Sequence, residues 1–332
     1  MHLHFESVAD RPTFCISAAV FAALRERHGD ALAGTTSTRG EGLVGLAGHL
    51  AQADALVAAE FVLAHPAFPL RDLAAAAPRL RWIHITNAGI EKLLPLDWLP
   101  PGVTLTNSRG AHAPRVREYA AMSLLMLNSA LPRMIGNQAQ QRWEKVHTSA
   151  IAGKRLCVVG AGNLGEGYAQ EAQRLRLQVV GVRRSGQPRP GFDRVVGPDA
   201  LLEVLGEADF VVVCVPLTPQ TEGMFGQREF AAMKRGAGFV NVARGKVVDH
   251  EALGRALASG HLSGAMVDVL PLEPLPPDSP IWRLPNLVMT PHVALDDAGH
   301  YLERCLAIGM DNLARLREGR PLRNVVDPQL GY

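Results

Sequence analysis

The sequence predicts an α/β fold in two domains, and three observations carry that expectation. Short β-branched runs alternate with helical stretches along the chain, the pattern of parallel βαβ units. A glycine-rich turn, Gly160-Ala-Gly162-Asn-Leu-Gly165, stands between an apolar run and a helical one. The length of 332 residues suits two domains of ~150 residues, each long enough to bury a core.

Taken in order, strands are expected near Met1–Ser7, Ala55–Ala58 and Leu80–Thr86, with helices between them such as Ala18–His28. A long apolar helix over Arg115–Leu131 comes next, then Trp143 and a polar stretch. Arg155–Val159 reads as a buried strand feeding the glycine turn. A helix over Glu166–Arg176 follows, and Gln178–Val182 closes the βαβ unit. Further strands are expected at Phe210–Val215, Gly238–Val242, Gly264–Val269 and Val288–Thr290, with a last helix over Asp297–Glu318. The prolines of Pro271–Pro280 remove backbone donors and force a rigid loop. Residues 108–292 are therefore expected to form a Rossmann-type doubly wound parallel sheet. Residues 1–107 and 293–332 are expected to form a smaller α/β domain, split between the chain ends.

Composition narrows the classes of function. Lys plus Arg total 34 against 32 Asp plus Glu, a net charge of +2, which leaves no broad basic face for nucleic acid and no acidic tail. An apolar share of 47% with 20% charged residues weighs against disorder. No apolar run reaches the ~18 residues of a membrane helix. The start, Met1-His-Leu-His-Phe-Glu, has neither the basic nor the apolar segment of a signal peptide. Cys15, Cys157, Cys214 and Cys305 lie far apart with no CxxC pair. They read as reduced, buried thiols of a cytoplasmic protein.

A GxGxxG pattern means little alone, but between a strand and a helix it has a physical use. Gly160 makes the tight turn, Gly162 lets a pyrophosphate approach the backbone, and Gly165 lets the helix pack on the strand. The helix N-terminus then offers its free N–H groups and positive dipole end to the phosphates. After the second strand stands Arg183-Arg184-Ser185, with no carboxylate until Asp193. An NAD site favours a carboxylate there for the ribose hydroxyls. Two guanidinium groups and a hydroxyl suit a 2′-phosphate instead, so NADP(H) is expected, with NAD(H) as the alternative.

Three later segments place polar residues where an open sheet holds its ligands, at the carboxyl ends of strands. They are Asn241-Val-Ala-Arg244-Gly245, then Asp268 with Glu273 five residues on, then Thr290-Pro-His292. Arg binds a carboxylate or carbonyl oxygen, His transfers a proton, and Glu orients the ring. Singly, each residue has a plainer reading as a salt bridge, a core histidine or a solvated charge. Together and in this order they make a chemical set.

On these pieces the chain resembles the D-isomer-specific 2-hydroxyacid dehydrogenase family, which includes glyoxylate/hydroxypyruvate reductases and phosphoglycerate dehydrogenases. The matching segments are Thr86–Ile90, Gly153–Gly165, Val215–Thr221, Asn241–Gly245, Asp268–Pro276 and Thr290–His292. The resemblance implies that His292 is the general acid/base, paired with Glu273, and that Arg244 holds the substrate's carboxylate and keto oxygen. It implies that the split domain is a flavodoxin-like substrate domain whose Ala88 and Gly89 amides also hold the carboxylate, and that the two domains close over the crevice. Gly160, Gly162, Asn163, Leu164, Gly165, Val215, Pro216, Thr221, Val242, Ala243, Asp268 and His292 would line the cofactor groove. Arg183, Arg184 and Ser185 would meet the adenosine ribose phosphate. Glu273 in place of Gln argues against the formate dehydrogenase branch.

The resemblance also implies a homodimer, with the 115–131 helix at the contact and Val116-Arg117-Glu118-Tyr119 as a dimer or domain contact. After His292 the run Val-Ala-Leu-Asp-Asp-Ala-Gly-His300 departs from the family's small residues. His292, Asp296 and His300 have a spacing that resembles a metal site. No metal is expected there, because Asp296 or Asp297 reads as the cap of the last helix and His300 as a surface residue. The expected function is hydride transfer between NADP(H) and C2 of a small 2-keto or 2-hydroxy acid. The alternatives are an NAD(H)-linked dehydrogenase acting on a bulkier substrate, and a nucleotide-sensing protein of the corepressor kind.

Overall fold

The computed structural model describes residues 1–7, 14–32, 35–38, 43, 45–295, 297 and 299–328. The chain divides into two compact units, Met1–Ala111 with Asp297–Tyr332, and His112–Asp296.

Among the described residues, the smaller unit carries a five-stranded parallel sheet of order β2-β1-β3-β4-β5. Its strands are β1 (Leu3–Glu6), β2 (Thr36–Ser37), β3 (Ala55–Ala58), β4 (Trp82–Ile85) and β5 (Thr104–Asn107). The Ala18–His28 helix forms where expected, its N-terminal amides capped by the Ser17 hydroxyl, which accepts from the Val20 amide. The last helix, Tyr301–Arg317, returns to this unit. It packs so closely on β4 that a methyl group on Gly309 would lie 2.9 Å from the His84 ring.

The larger unit carries a seven-stranded parallel sheet of order β12-β11-β10-β9-β6-β7-β8. The strands are β6 (Arg155–Val159), β7 (Gln178–Val182), β8 (Arg194–Val196), β9 (Phe210–Val213), β10 (Gly238–Asn241), β11 (Gly264–Val267) and β12 (Leu287–Met289). Both faces are covered. Leu205, Phe225, Phe230, Phe239 and Leu253 pack on one side, and Tyr119, Leu124, Leu127 and Tyr168 on the other. Strands buried on both faces need unbroken apolar runs, which is why Phe-Val-Val-Val at β9 reads so clearly. The chain runs outward from β6 to β8, then crosses back to β9 beside β6. The β6–β9 boundary is therefore the topological switch point.

Several expectations need correction. The helix expected over Arg115–Leu131 spans Ala113–Asn128, and a second helix, Leu131–Ala139, follows. Pro132 explains the break, because its ring cannot sit in a helix interior against the carbonyl four residues back. Ala130 adopts φ 53° to start the new direction. The glycine-turn helix spans Asn163–Arg174, and Arg176 leaves it at φ 61°. The last helix starts at Tyr301, because Asp297 spends its carboxylate on the amides of Gly299 and His300 just ahead of it. The structure adds the strands β2, β5 and β8, which the sequence pattern does not predict. No helix among the described residues is long and apolar enough to cross a membrane.

Candidate active site

The three glycines of the turn differ in what surrounds them. A Cβ on Gly160, which has φ 104°, would lie 2.7 Å from the Cys214 carbonyl carbon at the switch point. A Cβ on Gly165 would lie 2.3 Å from the Gly160 oxygen. Gly162 is different. It is exposed, and among the described residues nothing lies within 4 Å of where its Cβ would be and no side chain caps the Asn163–Arg174 helix that it opens. Bare amides at a helix N-terminus beside open space fit a dinucleotide pyrophosphate.

Around this turn the expected groove residues fall into two kinds. Thr221 ties its own loop, its hydroxyl donating to the Pro216 carbonyl at 2.6 Å and accepting from the Thr218 amide at 2.8 Å. Pro216 is exposed and Val215 half-buried. Asn163 is exposed, whereas Leu164 leans on the core. Val242 and Ala243 are buried in the core clusters, so their side chains face inward and only their backbone is left for a ligand.

Arg183 follows β7 and is half-buried, its amide donating to the Val196 carbonyl at 3.0 Å. Arg184 and Ser185 are exposed, and the Ser185 hydroxyl accepts from the Gln187 amide. Asp193 accepts from the Val179 amide at 2.7 Å, at the far end of β7. Sequence reasoning missed Arg189, which donates to both Asn163 and Glu166 on the first turn of the glycine-turn helix. Its signal was a third arginine in the same short loop.

Beyond β10, β11 and β12 the chemical set assembles. The Asn241 side chain, fully buried, accepts from the Ala243 amide and donates to the Arg244 carbonyl, fixing the turn that carries Arg244. The half-buried Arg244 guanidinium donates to the Ala243 carbonyl at 2.7 Å. Gly245 then lies against the backbone of Leu270 and Pro271. The Leu270 amide donates to Glu273 Oε1 at 2.8 Å, and Glu273 Oε2 meets His292 Nδ1 at 2.6 Å. A continuous set of contacts thus runs from the Arg244 turn to His292.

His292 adopts φ 56°, a left-handed conformation rare outside glycine. Its amide donates to the carbonyls of Asp268 and Thr290 at 2.8 and 3.0 Å. The buried Asp268 carboxylate holds the same loop. Its Oδ1 accepts from the Thr290 hydroxyl at 2.5 Å and from the amides of Val293 and Ala294 at 2.9 and 3.0 Å.

Tyr119, read from the sequence as a contact with another domain or copy, instead turns into its own unit. It is buried, and its hydroxyl lies 2.9 Å from Thr290 Oγ1. Burial pushes its phenol up to about 12.

In the smaller unit, Ala88 and Gly89 form the turn after β4. The Ala88 carbonyl accepts from the Asn107 amide group at 2.8 Å. Among the described residues, the Ala88 and Gly89 amides have no acceptor. Asp297 pairs with Arg304 at 2.5 Å, and that guanidinium, with the Gly299 and His300 amides, holds its carboxyl down at about 2. Asp296 lies outside the described residues. Among those described, no three His, Cys, Asp or Glu side chains are grouped to hold a metal. Cys157 and Cys305 are buried, whereas Cys15 and Cys214 are only half-buried; all four are unpaired.

A doubly wound parallel sheet with a bare glycine turn at its switch point is the build of a dinucleotide-dependent oxidoreductase. The family described as D-isomer specific 2-hydroxyacid dehydrogenase, NAD binding domain, matches residues 121–294. An uncharacterized protein from Streptomyces coelicolor is 38% identical over 237 residues, covering 71% of this chain and 83% of its own length. A glyoxylate reductase from Korarchaeum cryptofilum is 31% identical over 270 residues, covering 77% of this chain and 78% of its own. A D-isomer specific 2-hydroxyacid dehydrogenase from Xanthobacter autotrophicus Py2, solved with NADPH and MES, superposes with a TM-score of 0.80. It is 30% identical, and the match covers 100% of this chain and 99% of the other. This chain belongs to the D-isomer specific 2-hydroxyacid dehydrogenase family. Its reaction class is NAD(P)-dependent hydride transfer on 2-hydroxy and 2-keto acids.

Proposed function

We propose that the chain is an NADP(H)-dependent reductase of small 2-keto acids, with His292 as general acid/base, Glu273 as its partner and Arg244 as the substrate clamp. The observation that carries this reading is the 2.6 Å contact between Glu273 Oε2 and His292 Nδ1. It commits Nδ1 to the carboxylate and leaves Nε2, which has no partner among the described residues, to face a substrate.

When bound, the cofactor supplies hydride to the substrate C2. The chain's own residues manage charge and protons. His292 Nε2 gives its proton to the carbonyl oxygen as that oxygen becomes a hydroxyl, and Glu273 stabilises the imidazolium before transfer. The Arg244 guanidinium opposes the negative charge that develops on the oxygen and pairs with the carboxylate. The Ala88 and Gly89 amides, with no acceptor among the described residues, are assigned to carboxylate binding. In the oxidative direction His292 takes the proton back.

Arg183, Arg184 and Ser185 are assigned to the 2′-phosphate of NADP(H), and Asp268 to the neighbourhood of the nicotinamide carboxamide. The NADPH in the Xanthobacter relative supports the phosphate assignment, and the name of the Korarchaeum relative supports glyoxylate as a substrate. One observation favours a bulkier substrate: Leu272 and Val293, the chain neighbours of Glu273 and His292, are exposed apolar residues. The unpaired cysteines support a cytoplasmic site of action. A second copy of the chain is assigned to the exposed apolar face made by Met122, Leu125, Leu131, Met134 and Ile135. Light scattering of the purified protein tests that dimer, and a monomer would refute it.

The test of function is NADPH oxidation with glyoxylate and hydroxypyruvate, run beside NADH. Turnover favouring NADPH supports the reading, and turnover favouring NADH discards the phosphate assignment. His292→Ala and Arg244→Ala should each lose most turnover while still binding NADPH. Wild-type rates in either would overturn its assigned role.

A further inference from the structure

The loop that carries His292 is held by more than Glu273. Its backbone hangs on one carboxylate oxygen, Asp268 Oδ1, which accepts from Thr290, Val293 and Ala294. The Thr290 hydroxyl has one proton, and it donates that proton to Asp268. The 2.9 Å contact between Thr290 Oγ1 and the Tyr119 hydroxyl therefore has one sense: the phenol donates and Thr290 accepts. Tyr119 sits in the Ala113–Asn128 helix, packed with Val116, Ala120 and Tyr168 in the core below the sheet's ligand-binding end. A directed chain of two hydrogen bonds so links a core helix to the strand-end loop that bears the proton donor.

We propose that Tyr119 is a positioning residue for catalysis, its O–H fixing Thr290 and Asp268 and, through them, the placement of His292. The proposal rests on the assignment of His292 as general acid/base. Three features support a role beyond packing. Phe at this position would fill the same space, so the hydroxyl is not needed for volume. The phenol is buried and stays protonated at neutral pH, so it remains a donor throughout the working range. The loop it braces contains a residue at positive φ, which persists only when its surroundings over-determine it. Glu273 fixes the His292 ring from one side. The Tyr119–Thr290–Asp268 chain fixes the backbone that aims the ring from the other.

The test uses the full-length protein with NADPH and glyoxylate, and compares Tyr119→Phe, Thr290→Val and the double variant. Tyr119→Phe should lower kcat about tenfold, the scale of one hydrogen bond in a buried charged network. KM should stay within about twofold, because the substrate carboxylate is assigned to Arg244, which the variant does not touch. Thr290→Val should lower kcat at least as far, and Tyr119→Phe added to it should cost nothing more, since the link is already cut. Wild-type kcat in Tyr119→Phe would overturn the proposal. So would losses that multiply in the double variant, or a fall in melting temperature with kcat per folded molecule unchanged. If Tyr119→Phe yields no folded protein, Thr290→Val carries the kcat-against-KM comparison. His292→Ala separates the two layers: if it is inactive while Tyr119→Phe is unaffected, only the positioning role fails. If His292→Ala is active, the assignment beneath fails.

Discussion

Gly245 and Leu270 meet backbone to backbone: a methyl group on Gly245 would lie 2.0 Å from the Leu270 carbonyl carbon. This contact sets the Arg244 turn against the loop whose next hydrogen bond, from the Leu270 amide, holds Glu273. No side chain fits there without moving one of the two segments. Gly245→Ala should therefore separate Arg244 from the Glu273–His292 pair. Misplacement of about 1 Å costs on the order of a hundredfold in rate, so turnover should fall by roughly that factor. Steady-state rates with glyoxylate check it, and a variant within threefold of wild type would show that the segments yield freely.

Gly162 and Gly165 should respond oppositely to the same added methyl group. At Gly165 the Cβ would strike the Gly160 oxygen at 2.3 Å, so Gly165→Ala should lower the melting temperature. At Gly162 the Cβ meets no atom of the described residues within 4 Å, and the backbone, at φ −96°, suits any residue. Gly162→Ala should fold as wild type, yet weaken NADPH binding by about tenfold or more if the space is the pyrophosphate's. Calorimetry and a fluorescence titration read the two effects. Unchanged NADPH affinity in Gly162→Ala would move the cofactor elsewhere.

Arg183→Asp should weaken NADPH binding about tenfold to a hundredfold, the range of a lost charge-assisted hydrogen bond plus a repelling carboxylate. NADH binding should change little or improve, because Asp suits ribose hydroxyls. Parallel titrations with the two cofactors give the ratio, and equal losses would refute the phosphate assignment.

His84 predicts how stability varies with pH. It is fully buried in β4, and burial pushes its pKa down to about 4, with the Cys305 carbonyl opposing in part. In the unfolded chain it titrates near 6.5, so there the unfolded state binds more protons. Its contribution is complete above about pH 6.5 and is lost as pH falls toward 4. The loss between pH 7.5 and pH 5 should be about 2 kcal/mol from this residue. His2, His49 and His250, also shifted down, act in the same direction. Urea midpoints at the two pH values should differ less in His84→Gln than in wild type. An equal difference would assign the pH dependence to other groups.

The parallel α/β class and the interior strands are legible in the sequence because burial on both faces demands long apolar runs. Ala55–Ala58, Arg155–Val159 and Gln178–Val182 appear with their expected bounds. The missed strands β2, β5 and β8 all lie at sheet edges. An edge strand has one neighbour and tolerates polar residues such as Thr104, Asn107 and Arg194, so its pattern is weak. The candidate site divides along a similar line. Arg244, Glu273 and His292 announce themselves in short contiguous motifs. Asn241 and Thr290 stand in the same motifs, but what they hold does not show there, and Arg189 and the role of Tyr119 do not show at all, because each acts through a contact whose geometry is fixed only once the sheet is folded. Asp268 was expected near the cofactor; its grip on three donors of the His292 loop is invisible in one dimension.

The left-handed backbone at His292 has an implication for anyone selecting sturdier versions of this protein. At φ 56° the position would suit glycine or asparagine better than histidine. Heat-based screening that ignores turnover would drift toward those residues and discard the imidazole proposed to transfer the proton. Ruggedness and reactivity thus compete at a single codon, and a screen must score both traits together to keep the enzyme.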